Sequence, residues 1–180
     1  MASLIPVRKR EDIFSEYQNT PVGLLFEYHN LKKDFEVYEK AELLVGMCMD
    51  NRKYLHIPDN FAFILRTGGA NLRYSDFKVS FAVSIGQVKY IVLIGHTNCG
   101  MVNLKSRKKE FINGLVESAG WSAAMAEEHF SQNAPMFEIM NEVDFVISEA
   151  VRLHLYYPKI KVVPLLYRVE DNLLYQMKEQ

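Results

Sequence analysis

KYIVLIGHTNCGM, residues 89–101, decides how the rest of the chain is read. Its first half is a short apolar run with no helical period, which reads as a buried strand; its second half places His96 and Cys99 three residues apart just past the strand end. Two earlier runs have the same character, ELLVGMCM at 42–49 and FAFILR at 61–66, and each also ends in polar or glycine-rich residues. YSDFKVSFAVSIGQV lies between the second and third runs; its Ser75-Asp76 opening and apolar spacing predict a crossover helix. Strand, helix and strand in that order predict an α/β fold: a central, mostly parallel sheet flanked by helices.

Working outward, residues 11–39 carry Ile13, Phe14, Tyr17, Leu24, Leu25, Tyr28, Leu31 and Phe35 at roughly helical spacing, broken by Thr20-Pro21. Two amphipathic helices are expected there. After Gly100 a helical pattern runs to Tyr157 with Gly114, Gly120 and Pro135 as punctuation, and IKVVPLLYRV reads as the last strand, edge or bulged at Pro164. At 180 residues, without repeats or a linker, residues 1–180 are expected to form a single domain.

Composition narrows the function classes. A chain 49% hydrophobic and 24% charged belongs with folded soluble proteins, and a net charge of -1 gives no electrostatic reason for nucleic acid or an anionic membrane as partner. Charges interrupt every apolar segment, and the start, MASLIPVRKREDIF, is too short in apolar residues for a signal peptide, so a cytoplasmic setting is expected. Two cysteines in a reducing compartment point to metal or redox chemistry rather than a disulfide framework.

Ligands of α/β sheets gather at the carboxyl ends of strands. Cys48 closes the first strand, Arg66 the second, and His96 follows the third. Singly, either cysteine reads as a small buried hydrophobe and His96 as a core histidine; a Cys48–Cys99 disulfide is a further reading. Together, two thiolates and an imidazole select zinc over magnesium or calcium, and three protein ligands leave a fourth position open.

CMDNR at 48–52, RTGGA at 66–70 and VKYIVLIGHTNCGM at 88–101 resemble, in order, the signature blocks of the beta-class carbonic anhydrases, with weaker support from VVPLLYRVEDNLL near the end. The resemblance implies Zn2+ held by Cys48, His96 and Cys99, with Asp50 and Arg52 paired at the site. An aspartate two residues from a metal-bound cysteine either occupies the open position or is held back by a guanidinium fork, so Arg52 controls access of water. The expected activity is reversible hydration of carbon dioxide, Asp50 orienting the attacking oxygen. A second reading keeps the zinc and changes the substrate to carbonyl sulfide or carbon disulfide. A third is a non-catalytic, zinc-stabilised dimeric module with Asp50 on the metal; its motive is that Thr67 and Gly68 depart from the family's usual Arg-Asn-Ala-Gly. Gly68 and Gly69 either merely turn the chain or bring N–H groups to the substrate. Phe63, Leu65 and Val83 are apolar candidates for the pocket wall, His56 is a candidate proton carrier, and KSRKKE at 105–110 reads as a solvated helix face. The resemblance also implies a homodimer or dimer of dimers, with the helices of 11–39 packed on the partner.

Overall fold

The computed structural model describes residues 2–178. Among these, six strands form one mixed sheet: β1 (Ser3–Pro6), β2 (Leu43–Cys48), β3 (Ala62–Thr67), β4 (Tyr90–His96), β5 (Lys161–Arg168) and β6 (Leu173–Lys178), in the order β1-β6-β5-β4-β2-β3. β3, β2, β4 and β5 run parallel; β6 and β1 are added antiparallel. The three sequence-read strands are thus β2, β3 and β4, and β2 is paired on both sides, which explains its unbroken apolar run. The register sets Met47 opposite Ile94, so the last residues of β2 and β4 finish side by side.

The described residues also form five α-helices, α1 (Pro21–His29), α2 (Asp76–Ser84), α3 (Lys108–Ala119), α4 (Ala123–Phe137) and α5 (Glu142–Tyr156); α1, α2 and α5 pack on the sheet, and α3 and α4 pack on each other. Side chains alternate across a strand. Accordingly Val45, Met47, Val92, Ile94 and Val163 pack with Leu25 and Phe26 of α1 on one face. Leu44, Ile91 and Leu93 pack with Val79 of α2 and Val146 and Leu153 of α5 on the other.

Several expectations are corrected. Residues 11–39 hold one α-helix, not two. Thr20 Oγ1 accepts the Gly23 N–H at 3.4 Å and Pro21 starts α1, but before it lies only a 3-10 turn at Arg10–Asp12 and after it Lys32 takes φ +58. Ile13 and Tyr17 owe their burial to an irregular stretch tied to β6: Gln176 Oε1 accepts the Phe14 N–H at 2.7 Å and Gln176 Nε2 donates to the Asp12 carbonyl at 2.9 Å. IKVVPLLYRV is neither last nor at an edge, since β6 follows β5 and pairs with it. Pro164 fits inside the sheet because the antiparallel ladder begins one residue later, at Leu165 opposite Gln176, so its missing N–H is not called on there. The long helical stretch is three helices; Gly120, at φ +72, ends α3 in the left-handed conformation, whereas Gly114 lies within α3 and Pro135 within α4.

Candidate metal centre

The turn after β2 and the turn after β4 carry the distinctive residues, and each is pinned. Met49 N–H donates to the Thr67 carbonyl at 2.8 Å, extending the β2–β3 pairing past Cys48. Arg66, at the end of β3, donates to the carbonyls of Cys48 (3.3 Å), Asp50 (3.4 Å) and Lys53 (3.1 Å), so one guanidinium shapes the whole turn. On the β4 side, Thr97 Oγ1 and Asn98 Nδ2 donate to the two Glu170 oxygens at 2.8 and 2.9 Å, and the Cys99 N–H donates to Glu142 Oε1, at the start of α5, at 3.1 Å.

These turns bring Cys48, His96 and Cys99 together: one ligand atom from each lies within 4.8 Å of the other two, and all three residues are buried. Both cysteines are free thiols, their sulfurs 4.0 Å apart, about twice a disulfide bond length. A tetrahedral zinc with bonds of about 2.3 Å to sulfur has sulfur–sulfur edges of about 3.8 Å. His96 Nδ1 lies 2.9 Å from the Thr97 carbonyl and donates to it, which leaves the Nε2 lone pair free. That Nε2 is buried without a hydrogen-bond partner. A buried acceptor left unsatisfied beside two thiols is what a metal-binding set requires, and the residues fit zinc.

Electrostatics support the same set. The hydrogen bond from Cys99 holds Cys48 far below the usual thiol range against the opposing effect of burial, and the backbone of Asp50 and Gly69 adds to it. The same bond, then burial, pushes Cys99 up, so the sulfur pair shares one proton. Gly69 takes φ +64 within a 3-10 turn at Gly68–Ala70, and from there its N–H reaches Cys48 Sγ at 3.4 Å. Its N–H is therefore aimed at the Cys48 sulfur.

Asp50 and Arg52 meet in a bidentate pair: Arg52 Nη2 donates to Oδ2 at 2.6 Å and Nε to Oδ1 at 3.0 Å, while the Arg52 N–H also donates to Oδ1 at 2.9 Å. Arg52 Nη2 further donates to the Asn98 carbonyl at 2.8 Å, tying the two turns together. Held by Arg52, the Asp50 carboxyl lies well below the usual carboxylate range, and its Oδ2 sits 3.9 Å from His96 Nε2. Beside the ligands, Met101 touches the cysteines and also lines a cavity of about 890 Å3 with Met49, Thr67, Gly68, Gly100 and Phe137.

Other candidates fall elsewhere. Phe63, Leu65 and Val83 pack with the α2–α5 face of the core rather than with the ligands. The His56 ring lies tilted against Phe35, ring centres 4.5 Å apart, and its backbone N–H donates to His29 Nδ1 at 3.0 Å. Three contributors escaped sequence reasoning: Glu142 and Glu170, which reach the site from 43 and 72 or more residues away, and Lys53, whose place after Arg52 reads as a solvated charge but whose residue is 2% exposed.

An open α/β sheet carries a buried Cys-His-Cys set at the ends of two adjacent parallel strands, a group that could hold a metal ion with three protein ligands. The sequence profile of the carbonic anhydrase family matches residues 48–173. The chain belongs to that family, in its beta class. Among solved structures it is similar to a beta-carbonic anhydrase from Trichomonas vaginalis (17% identity, 80% of this chain and 87% of that one, TM-score 0.60). It is also similar to a carbonic anhydrase from Glaciozyma antarctica (20%, 79% and 85%, TM-score 0.58). A third likeness is to the apo form of a carbon disulfide hydrolase (20%, 76% and 78%, TM-score 0.54). At these identities the likeness establishes the shared fold. Comparison with curated proteins gives no match.

Proposed function

We propose that the chain is a zinc enzyme that hydrates carbon dioxide reversibly to bicarbonate and a proton. The observation that carries this reading is the buried Cys48, His96 and Cys99 set with Asp50 drawn back onto Arg52, three ligands and a restrained fourth candidate. Zinc in such a set supplies Lewis acidity that brings the pKa of a bound water to about 7. The chain's own residues do the rest. Arg52 fixes Asp50 as an anion beside the site, where its carboxylate accepts a hydrogen bond from the attacking oxygen and aims the lone pair. The turn pinned by Arg66 and Glu170 keeps both strand ends in place. Met49, Met101 and Phe137 offer an apolar wall to an uncharged substrate and limit water. The same wall favours carbonyl sulfide or carbon disulfide as a second reading, because these too are small, linear and apolar.

Elemental analysis of the purified chain, then stopped-flow proton release from carbon dioxide beside sulfide release from carbonyl sulfide, tests both. Sulfide without proton release reverses the order, and absence of stoichiometric zinc sinks both.

The reading includes a homodimer and a cytoplasmic setting. Among the described residues β3 is an edge strand with no neighbour on one side, and its Ile64 is exposed, as are Phe77, Phe81 and Ile85 along α2 and its end, apolar groups suited to a second copy. A monomer by sedimentation counts against it. No helix among the described residues is long and apolar enough to cross a membrane.

A further inference from the structure

Lys53 is not one of the three candidate ligands and forms no ion pair with the Asp50 carboxylate, yet it is a buried cation beside the site. Lysine is almost never fully buried unless paired, and Lys53 is 2% exposed. Its Nζ donates to the Asp50 carbonyl at 3.4 Å, a neutral acceptor, and among the described residues no carboxylate forms an ion pair with it. Burial pulls its pKa down, and among the surrounding charges Cys48, Asp50 and Cys99 pull it up while Arg66 pulls it down.

The charges can be counted. Two thiolates and a zinc ion sum to zero, and Asp50 with Arg52 sums to zero. Arg66 is exposed and screened by solvent. What is left is one positive charge in a low-dielectric surround, costly alone and strongly attractive to an anion. The open position of the centre is the place where an anion can bind. Resting on the zinc reading above, we infer that Lys53 supplies the buried positive charge that holds a small monoanion, bicarbonate above all, at that open position. Lys53 is a positioning residue: it acts through the field and not by touching the reacting atoms.

The test uses the whole chain loaded with cobalt, whose visible spectrum reports ligands at the metal, titrated with azide and with bicarbonate at one fixed pH and ionic strength. Lys53→Met is expected to keep its cobalt and raise both dissociation constants about tenfold, while Lys53→Arg stays within about twofold of wild type. Equal anion affinity in wild type and Lys53→Met overturns the inference. Lys53→Gln repeats the test should the methionine chain not fold; loss of cobalt from both neutral variants, with retention by Lys53→Arg, overturns it in favour of a role in assembling the centre. A wild-type chain that takes up no metal takes the zinc reading and this inference down together. One that binds cobalt and azide normally but leaves carbon dioxide unhydrated defeats only the hydration reading.

Discussion

Asp50 shows how one side chain is given a single protonation state and a single direction. Four hydrogen bonds from Arg52, one of them from its backbone, hold the carboxylate ionised and fixed in place beside His96. Asp50→Ala is therefore expected to retain zinc by elemental analysis while carbon dioxide hydration falls about 100-fold or more, the usual size of a lost acid–base partner; loss of metal instead marks Asp50 as a ligand. His29 makes a second prediction at this scale. Burial pushes its imidazole down to about 4 from 6.5, and both ring nitrogens are engaged, Nδ1 by the His56 N–H and Nε2 with the Asn172 carbonyl at 2.9 Å. The unfolded chain binds this proton more readily than the folded one, so stability present above pH 6.5 is lost as pH falls toward 4, by up to about 3 kcal/mol. Urea midpoints across that range fall steeply in wild type and less steeply in His29→Gln. The three candidate ligands were legible in sequence as a group because C-x-D-x-R and H-x-x-C are compact and sit at strand ends. Lys53 was not, because a lysine beside an arginine carries no local mark of burial.

At the scale of elements, the site depends on how α5 begins. Asn141 Oδ1 accepts the Val143 and Asp144 N–H groups at 2.9 and 3.0 Å, capping the helix whose next residue, Glu142, holds the Cys99 backbone. Asn141→Ala is expected to cost about 1 kcal/mol in chemical denaturation and to weaken zinc binding in a competition assay, since the Glu142 carboxylate loses its fixed origin. An unchanged zinc affinity separates the cap from the site. The buried strands were readable as apolar runs, and α2 as the crossover between them. β1 and β6 were not: SLIP is four residues long, and LLYQMK has a buried glutamine whose amide serves the 11–14 stretch. That same stretch mimicked a helix because period alone cannot tell a buried helix face from an irregular segment tied down by side chains.

For the molecule as a whole, the proposed zinc would link metal binding to folding, because its ligands come from two strand ends. Chelation is expected to lower the melting temperature, and excess zinc to raise it again. A two-site change on the open edge, Ile64→Lys with Phe81→Lys, is expected to shift the sedimenting species from dimer to monomer; no shift places the copy-to-copy contact elsewhere. The ligand set also spans a long stretch of chain: Cys48 and Cys99 are 51 residues apart and meet only after β4 has docked beside β2. A nascent or denatured chain consequently presents one lone thiol and one H-x-x-C fragment, poor competitors for zinc. On the zinc reading proposed above, the ion would therefore bind a sheet already assembled, and its binding energy would count toward keeping the chain folded rather than being shared with the disordered ensemble.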